Sequence, residues 1–461
     1  MTKTTKKQAW QDDVDHVIHP YTNLSTHKEQ GPTIMVRGDG CYVYDDKGKR
    51  YLEGMSGLWC ASLGFSEKRL GEVAYEQFKE LPYYHLFNHH SHPVAIELAA
   101  ELAEIAPGDL NHVLFSNSGS EANDGAVKIS WMYHNAINKP EKKKIIARRN
   151  GYHGVTVAAG SLTGLPPVHA AFDLPIERII HTDCPSYYHN AKEGETEEEF
   201  STRLANNLEQ LIQEEGPETI AAFIAEPVIG AGGVLVPPKG YFEKVQEILK
   251  RHDILFIVDE VICGFGRTGA MFGTDTYNLQ PDMMTVAKGL SAAYQPISAL
   301  IISDRIKNAM LEESKRNPVF AHGVTYAAHP VCAAVALETI KIYKERDIVG
   351  HVAELTPYFQ EKIRAFADHP IVSEVRGVGF LGALEIAKDK DKKEPFPAEL
   401  AIGPFIQKRA AEHGLIVRAI KDSIALCPPL IAEKAEIDVL AEALGKALDD
   451  AYEYAKANEN N

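Results

Sequence analysis

Residues 240–260, GYFEKVQEILKRHDILFIVDE, carry two different periods back to back. In the first part Phe242, Val245, Ile248 and Leu249 recur at helical spacing on one face, which predicts an amphipathic helix. In the second, ILFIVDE (254–260) is a short unbroken apolar run, suited to a strand buried on both faces. Similar runs recur at HVLFSN (112–117), KIIARRN (144–150), IAAFIAE (220–226) and ISALIIS (297–303), with amphipathic stretches between several of them. Buried strands alternating with helices predict an α/β protein, its mostly parallel central sheet flanked by helices. Ligands of such sheets bind outside the carboxyl ends of the strands, so chemistry is expected where each apolar run stops.

Three polar signals fall at such stops. FSNSGSEAND (115–124) ends a strand in Ser118, Gly119 and Ser120, and Glu121 opens a helical run through Ala126, Val127 and Ile129. Small residues at a helix start offer unpaired N–H groups and the positive dipole end to a phosphate. The same residues also spell a capping box from Ser118 to Glu121. Second, FIVDEV stops at Asp259, a carboxylate that is costly to bury unless it caps a turn or holds a protonated nitrogen. Third, MMTVAKGLSA (283–292) sets Lys288 in an apolar, small-residue run. Removed from water, its amine loses its proton more readily and can attack a carbonyl carbon to form a Schiff base; the alternative is a lysine that snorkels to solvent. Phosphate cradle, strand-end acid and reactive amine make joint sense for pyridoxal phosphate, which needs all three. In that reading Asp259 keeps the pyridine nitrogen protonated and Lys288 moves a proton at the donor's Cα.

Composition narrows the class. The chain has 461 residues, more than one hydrophobic core usually organises, and 48 Lys+Arg against 64 Asp+Glu give a net charge of −16. That charge repels a phosphate backbone, so no nucleic-acid partner is expected. Six scattered cysteines without a C-x-x-C pair read as reduced thiols of a cytoplasmic protein. MTKTTKKQAWQDD lacks an apolar stretch behind its charges, and no apolar run is long enough to span a membrane. The biased pieces EGETEEE (193–199) and AKDKDKKEP (387–395) read as solvated loops. GFGRTG (264–269) fits a dinucleotide fingerprint, but AMFGTDTYNLQPD after it has no helical apolar period. His85, His89, His90 and His92 lack the i, i+4 pair of a zinc helix; they are read as a pocket-lining loop around Phe87, and no metal is expected.

Longer motifs then align in order: YLEGMSGLWCASLGF (51–65), SNSGSEAND (116–124), RRNGYHGVT (148–156), IAEPVIGAGGVLVPPKGY (224–241), DEVICGFGRTG (259–269), AKGL (287–290) and HGVTYAAHPVCAA (322–334). Over nearly its whole length the chain resembles the class III, or omega, aminotransferases of the fold-type I pyridoxal-phosphate enzymes. Trp59, Phe87 and the arginine of GLIVRAI (414–420) resemble the amine–pyruvate branch. The resemblance implies that Gly119 and Ser120 bind the cofactor phosphate and Tyr152 stacks on the pyridine, with His153 a lesser contact. It further implies that Asp259 holds the ring nitrogen, Val261 packs on the ring's far face and Lys288 bonds covalently to the aldehyde. Thr325 would reach the phosphate in a neighbouring subunit, which makes a homodimer or larger homo-oligomer the expected form. Glu226 is expected to orient the site. Trp59, Phe87 and Tyr152 would wall the substrate pocket, and Arg418 would bind a carboxylate such as that of alanine or pyruvate. Where the family more often has Ser-Gly, this chain has Ala327–Ala328, which bears on local packing rather than on the cofactor.

The expected architecture is a large cofactor-binding domain over 61–332 and a smaller α+β domain built from 1–60 and 333–461, closing with a helix over 433–456. The expected reaction is ping-pong transfer of an amino group from an amine or amino acid to pyruvate or another keto acid. Its rivals are an aminomutase, racemase or decarboxylase on the same scaffold, and a non-catalytic amine-binding protein.

Overall fold

The computed structural model describes residues 6–458; the start of the charged N-terminal run, residues 1–5, and residues 459–461 lie outside the described residues. Three short antiparallel strands come first, β1 (Met35–Asp39), β2 (Tyr42–Asp45) and β3 (Arg50–Glu53). Seven strands then form the central sheet: β4 (Leu110–Ser116), β5 (Lys144–Arg148), β6 (Ile179–Thr182), β7 (Ile220–Ala225), β8 (Leu255–Asp259), β9 (Met283–Val286) and β10 (Ser298–Ser303). Their spatial order is β4-β10-β9-β8-β7-β5-β6, and β10 alone runs antiparallel to its two neighbours. The C-terminal part adds β11 (Val372–Val378), β12 (Leu381–Ile386), β13 (Leu415–Ile416), β14 (Arg418–Ile420) and β15 (Ser423–Leu426). Strand β13 joins β3 in parallel, completing a sheet β1-β2-β3-β13, while the others form the antiparallel sheet β11-β12-β15-β14.

The unbroken apolar runs are explained by helices on both faces. Every residue of β7, β8, β9 and β10 is buried. Along β8 the side chains alternate: Leu255 and Ile257 pack with Val127 and Ile129 of the helix Gly119–Ala136, whereas Phe256 and Val258 pack with Phe242 and Val245 of the helix Tyr241–Arg251. Both orientations therefore face apolar partners, and each large aliphatic side chain so buried contributes about 2 kcal/mol.

Elsewhere the structure differs from the pattern read along the chain. Part of EGETEEE is helical: Thr196 caps the helix Glu197–Glu215, its hydroxyl accepting from the Glu199 N–H, so the acidic residues sit at the positive dipole end rather than in a loop. Strand β6 was not among the apolar runs, because four residues, IIHT, give too little period to read. The final helix runs Lys434–Asn458. The boundary expected between residues 332 and 333 falls inside the helix Pro330–Glu345. After GFGRTG a single helical turn, Gly273–Thr276, follows, and the motif's Arg267 is instead buried against Ser56 and the Pro428 carbonyl.

Candidate active site

Strands β4, β5, β7, β8 and β9 point the same way, and the segments leaving their carboxyl ends converge on one cavity of about 160 Å³. Its lining includes Gly119 and Ser120 after β4, Tyr152, His153 and Gly154 after β5, Glu226 after β7, Asp259 at the end of β8 and Lys288 after β9. Strand register brings the acid and the amine together: Asp259 lies opposite Thr285 of β9, three residues before Lys288.

At the β4 end the capping box is fully formed. The Ser118 hydroxyl accepts from the Glu121 N–H at 3.2 Å, and the Glu121 carboxylate accepts from the Asn117 and Ser118 N–H groups at 2.7 and 3.1 Å. The Ser118 carbonyl in turn accepts from the Ser298 hydroxyl of β10 at 2.8 Å. Gly119 and Ser120 open the helix Gly119–Ala136, so their N–H groups have no carbonyl behind them in the helix. Capping and anion binding are thus successive uses of one turn. Two glycines keep the cradle open. A Cβ on Gly119 would lie 3.1 Å from a Val261 methyl, and one on Gly154, whose φ is +128°, would lie 2.3 Å from the Ser120 hydroxyl.

The carboxylate of Asp259 is almost fully buried and hydrogen-bonded on both oxygens, with acceptor capacity left on Oδ1. One oxygen accepts from His153 Nδ1 and Asn123 Nδ2, both at 2.8 Å, and the other from the Val261 N–H at 3.1 Å. Burial by itself would raise this carboxyl, but the hydrogen bond and charge of His153, with Asn123 and the Val261 N–H, outweigh it and hold the pKa below the ordinary carboxylate value. It is thus a preorganised anion. Lys288 begins a short 3₁₀ turn, Lys288–Ser291, with φ of +47°, a left-handed conformation that costs free energy for any residue with a Cβ. The turn is fixed from outside: the Gly289 carbonyl accepts from the buried Tyr343 hydroxyl at 2.6 Å. Burial lowers the Lys288 ammonium pKa, with Asp259 opposing, and the net displacement is downward. Its Nζ has no hydrogen-bond partner among the described residues.

Glu226 touches both its neighbours and the cavity. Its carboxylate accepts from the Tyr152 and Gly230 N–H groups, each at 2.9 Å, which sets the backbone that carries the Tyr152 ring. Burial raises its pKa, with the negative charge of Asp259 adding to the effect and His153 opposing it. His153 is placed by its N–H on the Thr163 hydroxyl at 2.8 Å and spends Nδ1 on Asp259.

The remaining residues singled out in the sequence lie elsewhere. Trp59 is packed in an apolar cluster with Met55, Val228 and Ile262, its indole N–H buried without a partner and its φ at +65°. Ile262 of that cluster lines the cavity, and Trp59 packs with it without lining the cavity itself. Phe87 and Thr325 are outside the cavity and exposed: the Phe87 ring lies against Gly323, and the Thr325 carbonyl accepts from the Tyr83 hydroxyl at 3.0 Å. Arg418 on β14 makes no ion pair among the described residues, and its charge acts on the phenol of Tyr152. Among the histidines of residues 85–92, His92 caps the helix Pro93–Ile105 and bonds the Ala328 carbonyl at 2.9 Å.

Sequence reasoning missed Asn123, which lines the cavity and joins Asp259 to the His153 carbonyl. Its signal was present: it lies four residues after Gly119 and so shares that face of the helix. The residues fit pyridoxal phosphate: a helix start free to bind phosphate, an anionic carboxylate for the ring nitrogen and an unpartnered amine face one cavity.

The comparisons with known proteins agree in direction. A profile for aminotransferase class-III matches residues 24–448. Gamma aminobutyrate transaminase 3, chloroplastic, from Solanum lycopersicum is 50% identical over 435 residues, 94% of this chain and 84% of that protein. Vanillin aminotransferase from Capsicum frutescens is 50% identical over 435 residues, 94% of this chain and 95% of that one. The crystal structure of the omega transaminase from Pseudomonas jessenii in complex with PMP matches with a TM-score of 0.96 at 49% identity, over 97% of this chain and 99% of that chain.

Proposed function

This chain belongs to the class-III aminotransferases, pyridoxal-phosphate enzymes that move an amino group from a donor to a keto acid, and from that premise we propose that it transfers the amino group of a primary amine to pyruvate. When bound, the cofactor supplies an aldehyde that takes up the amino group and a ring that accepts electrons from the donor's Cα. Gly119 and Ser120 would hold the phosphate through their N–H groups, and Asp259 would hold a proton on the pyridine nitrogen. Tyr152, its backbone fixed by Glu226, and Val261 both line the cavity and would hold the ring between them. Lys288 would take the proton from the donor's Cα; burial lowers the pKa of its amine, which leaves more of it neutral for that task at neutral pH.

The observation that carries the substrate assignment is Arg418, a guanidinium without an ion pair among the described residues yet close enough to Tyr152 to act on its phenol. A bidentate pair with the pyruvate carboxylate would satisfy it. Relatives named for gamma-aminobutyrate and vanillin support amine donors other than α-amino acids. Phe87 and Thr325, both exposed and outside this chain's cavity, are read as completing the cavity of a second copy, which makes the working form a homodimer at least. The division into a large domain over 61–332 and a small one from the flanking segments belongs to the same reading. Six free cysteines, five of them buried, fit a reducing cytoplasm.

The test is the visible absorbance of the holoenzyme through one cycle. A band that bleaches with 1-phenylethylamine and returns with pyruvate supports both half-reactions of the assignment. A band that bleaches but does not return with pyruvate removes pyruvate as the acceptor. Arg418→Leu is expected to raise KM for pyruvate at least about tenfold, the loss of one charge-assisted pair, while KM for 1-phenylethylamine changes little. Equal effects on both would overturn the role of Arg418.

A further inference from the structure

We propose that Asp13, His19 and His27 form a zinc site that clips the N-terminal segment and fixes the turn bearing Tyr21. Asp13 belongs to the helix Lys6–His16 and His27 to the helix Leu24–Gln30, with His19 in the turn between them. Both imidazole Nε2 atoms converge on one oxygen of Asp13, His19 at 2.9 Å and His27 at 3.2 Å. The three donor atoms all lie within 4.8 Å of one another. Ligand atoms about 2.0–2.1 Å from a tetrahedral Zn²⁺ are about 3.3 Å apart, so an ion enters with movements of about an ångström or less. The rings lie tilted with centroids 4.2 Å apart, and neither Nδ1 has a partner among the described residues, so each ring can shift its proton there and turn a lone pair inward.

Two imidazoles and one carboxylate are borderline nitrogen and hard oxygen donors, a set that takes Zn²⁺ ahead of Mg²⁺ or Ca²⁺, which prefer all-oxygen shells. Three protein ligands leave a fourth position for water. His27 is buried, which preorganises one ligand, while His19 and Asp13 are partly open for entry of the ion. The consequence lies in the turn that the three ligands close. Tyr21, two residues beyond His19, reaches Tyr152 of the cavity, hydroxyl to hydroxyl at 3.5 Å. A metal joining the two helices would hold that hydroxyl against Tyr152. This is a site distinct from the cofactor's, and it rests on none of the catalytic residues.

The test uses chelator-treated holoenzyme dialysed against Zn²⁺ alone. One saturable equivalent per chain is expected, weakened at least tenfold by His19→Gln and by Asp13→Asn and unchanged in a His85→Gln/His90→Gln variant. No saturable equivalent, or one indifferent to His19→Gln and Asp13→Asn, would overturn the site. A second readout compares each protein with itself: protease cutting between residues 17 and 25 should slow when Zn²⁺ is added to the native enzyme and be unaffected by Zn²⁺ in the His19→Gln variant. Cutting that ignores Zn²⁺ in the native enzyme overturns the clip even if some variant folds poorly.

Discussion

Lys288 and Asp259 divide the work by electrostatics. The lysine is kept short of hydrogen bonds, so its amine is available; the aspartate has three donors, so its charge is fixed. Lys288→Ala is expected to lower turnover by about 10³-fold or more, since both the covalent anchor and the proton carrier are lost. Steady-state rates at saturating donor and pyruvate measure this, and activity near the native level would refute the assignment. Asp259→Asn keeps the shape but removes the charge that holds the ring nitrogen's proton. A loss of about 10²-fold or more in kcat is expected, with cofactor content, read from absorbance, falling far less. Unchanged kcat would mean that Asp259 only ties the chain to His153.

At the scale of an element, the helix Gly119–Ala136 has its start shaped by a cap and its first two N–H groups left for a ligand. Ser118→Ala removes the hydroxyl that accepts from Glu121 but leaves the Glu121 carboxylate on the Asn117 and Ser118 N–H groups. The expected loss is about 1 kcal/mol, seen as a lower Tm. Because the cap also aims Gly119 and Ser120, the gain in Tm on adding pyridoxal phosphate to the apoenzyme should shrink as well. An undiminished gain would show that the cap serves the helix alone.

Across the whole molecule, Glu385 of β12 ties distant parts of the chain. Its carboxylate pairs with Arg376 of β11 at 2.8 Å, accepts from the Ser423 hydroxyl of β15 at 2.6 Å and meets His189, next to the central sheet's last strand in sequence, at 3.2 Å. Burial pushes this carboxyl up, but His189, Arg376 and Ser423 together bring it down to about 2. A depressed carboxyl contributes stability that is complete above its unfolded value near 4.5 and is lost as pH falls toward 2. Glu385→Gln should therefore destabilise the protein at pH 7 by about 1–2 kcal/mol, since Arg376 loses one of its two carboxylate partners but keeps Glu374 at 2.6 Å. Denaturant midpoints for the two proteins should converge as pH drops below about 4. A constant gap across that range would mean that the cost is packing rather than charge.

What the sequence by itself determined was everything carried by a local pattern. Apolar runs without alternation announced strands buried on both faces, helical spacing at Phe242, Val245 and Leu249 announced the covering helix, and small or charged residues at run ends marked Gly119, Ser120, Asp259 and Lys288. These follow from chain periodicity and the cost of burying charge, which are legible along one dimension. Only the tertiary structure decided which of these residues meet. Register between β8 and β9 set Asp259 beside Lys288, and helix rotation aimed Asn123 at Asp259. Chain return from the N-terminus put Tyr21 on Tyr152, while Trp59 packed with Ile262 and Phe87 lay outside the cavity. Those placements depend on contacts tens to hundreds of residues apart, whose free energies are summed over the whole fold and leave no periodic trace in the chain.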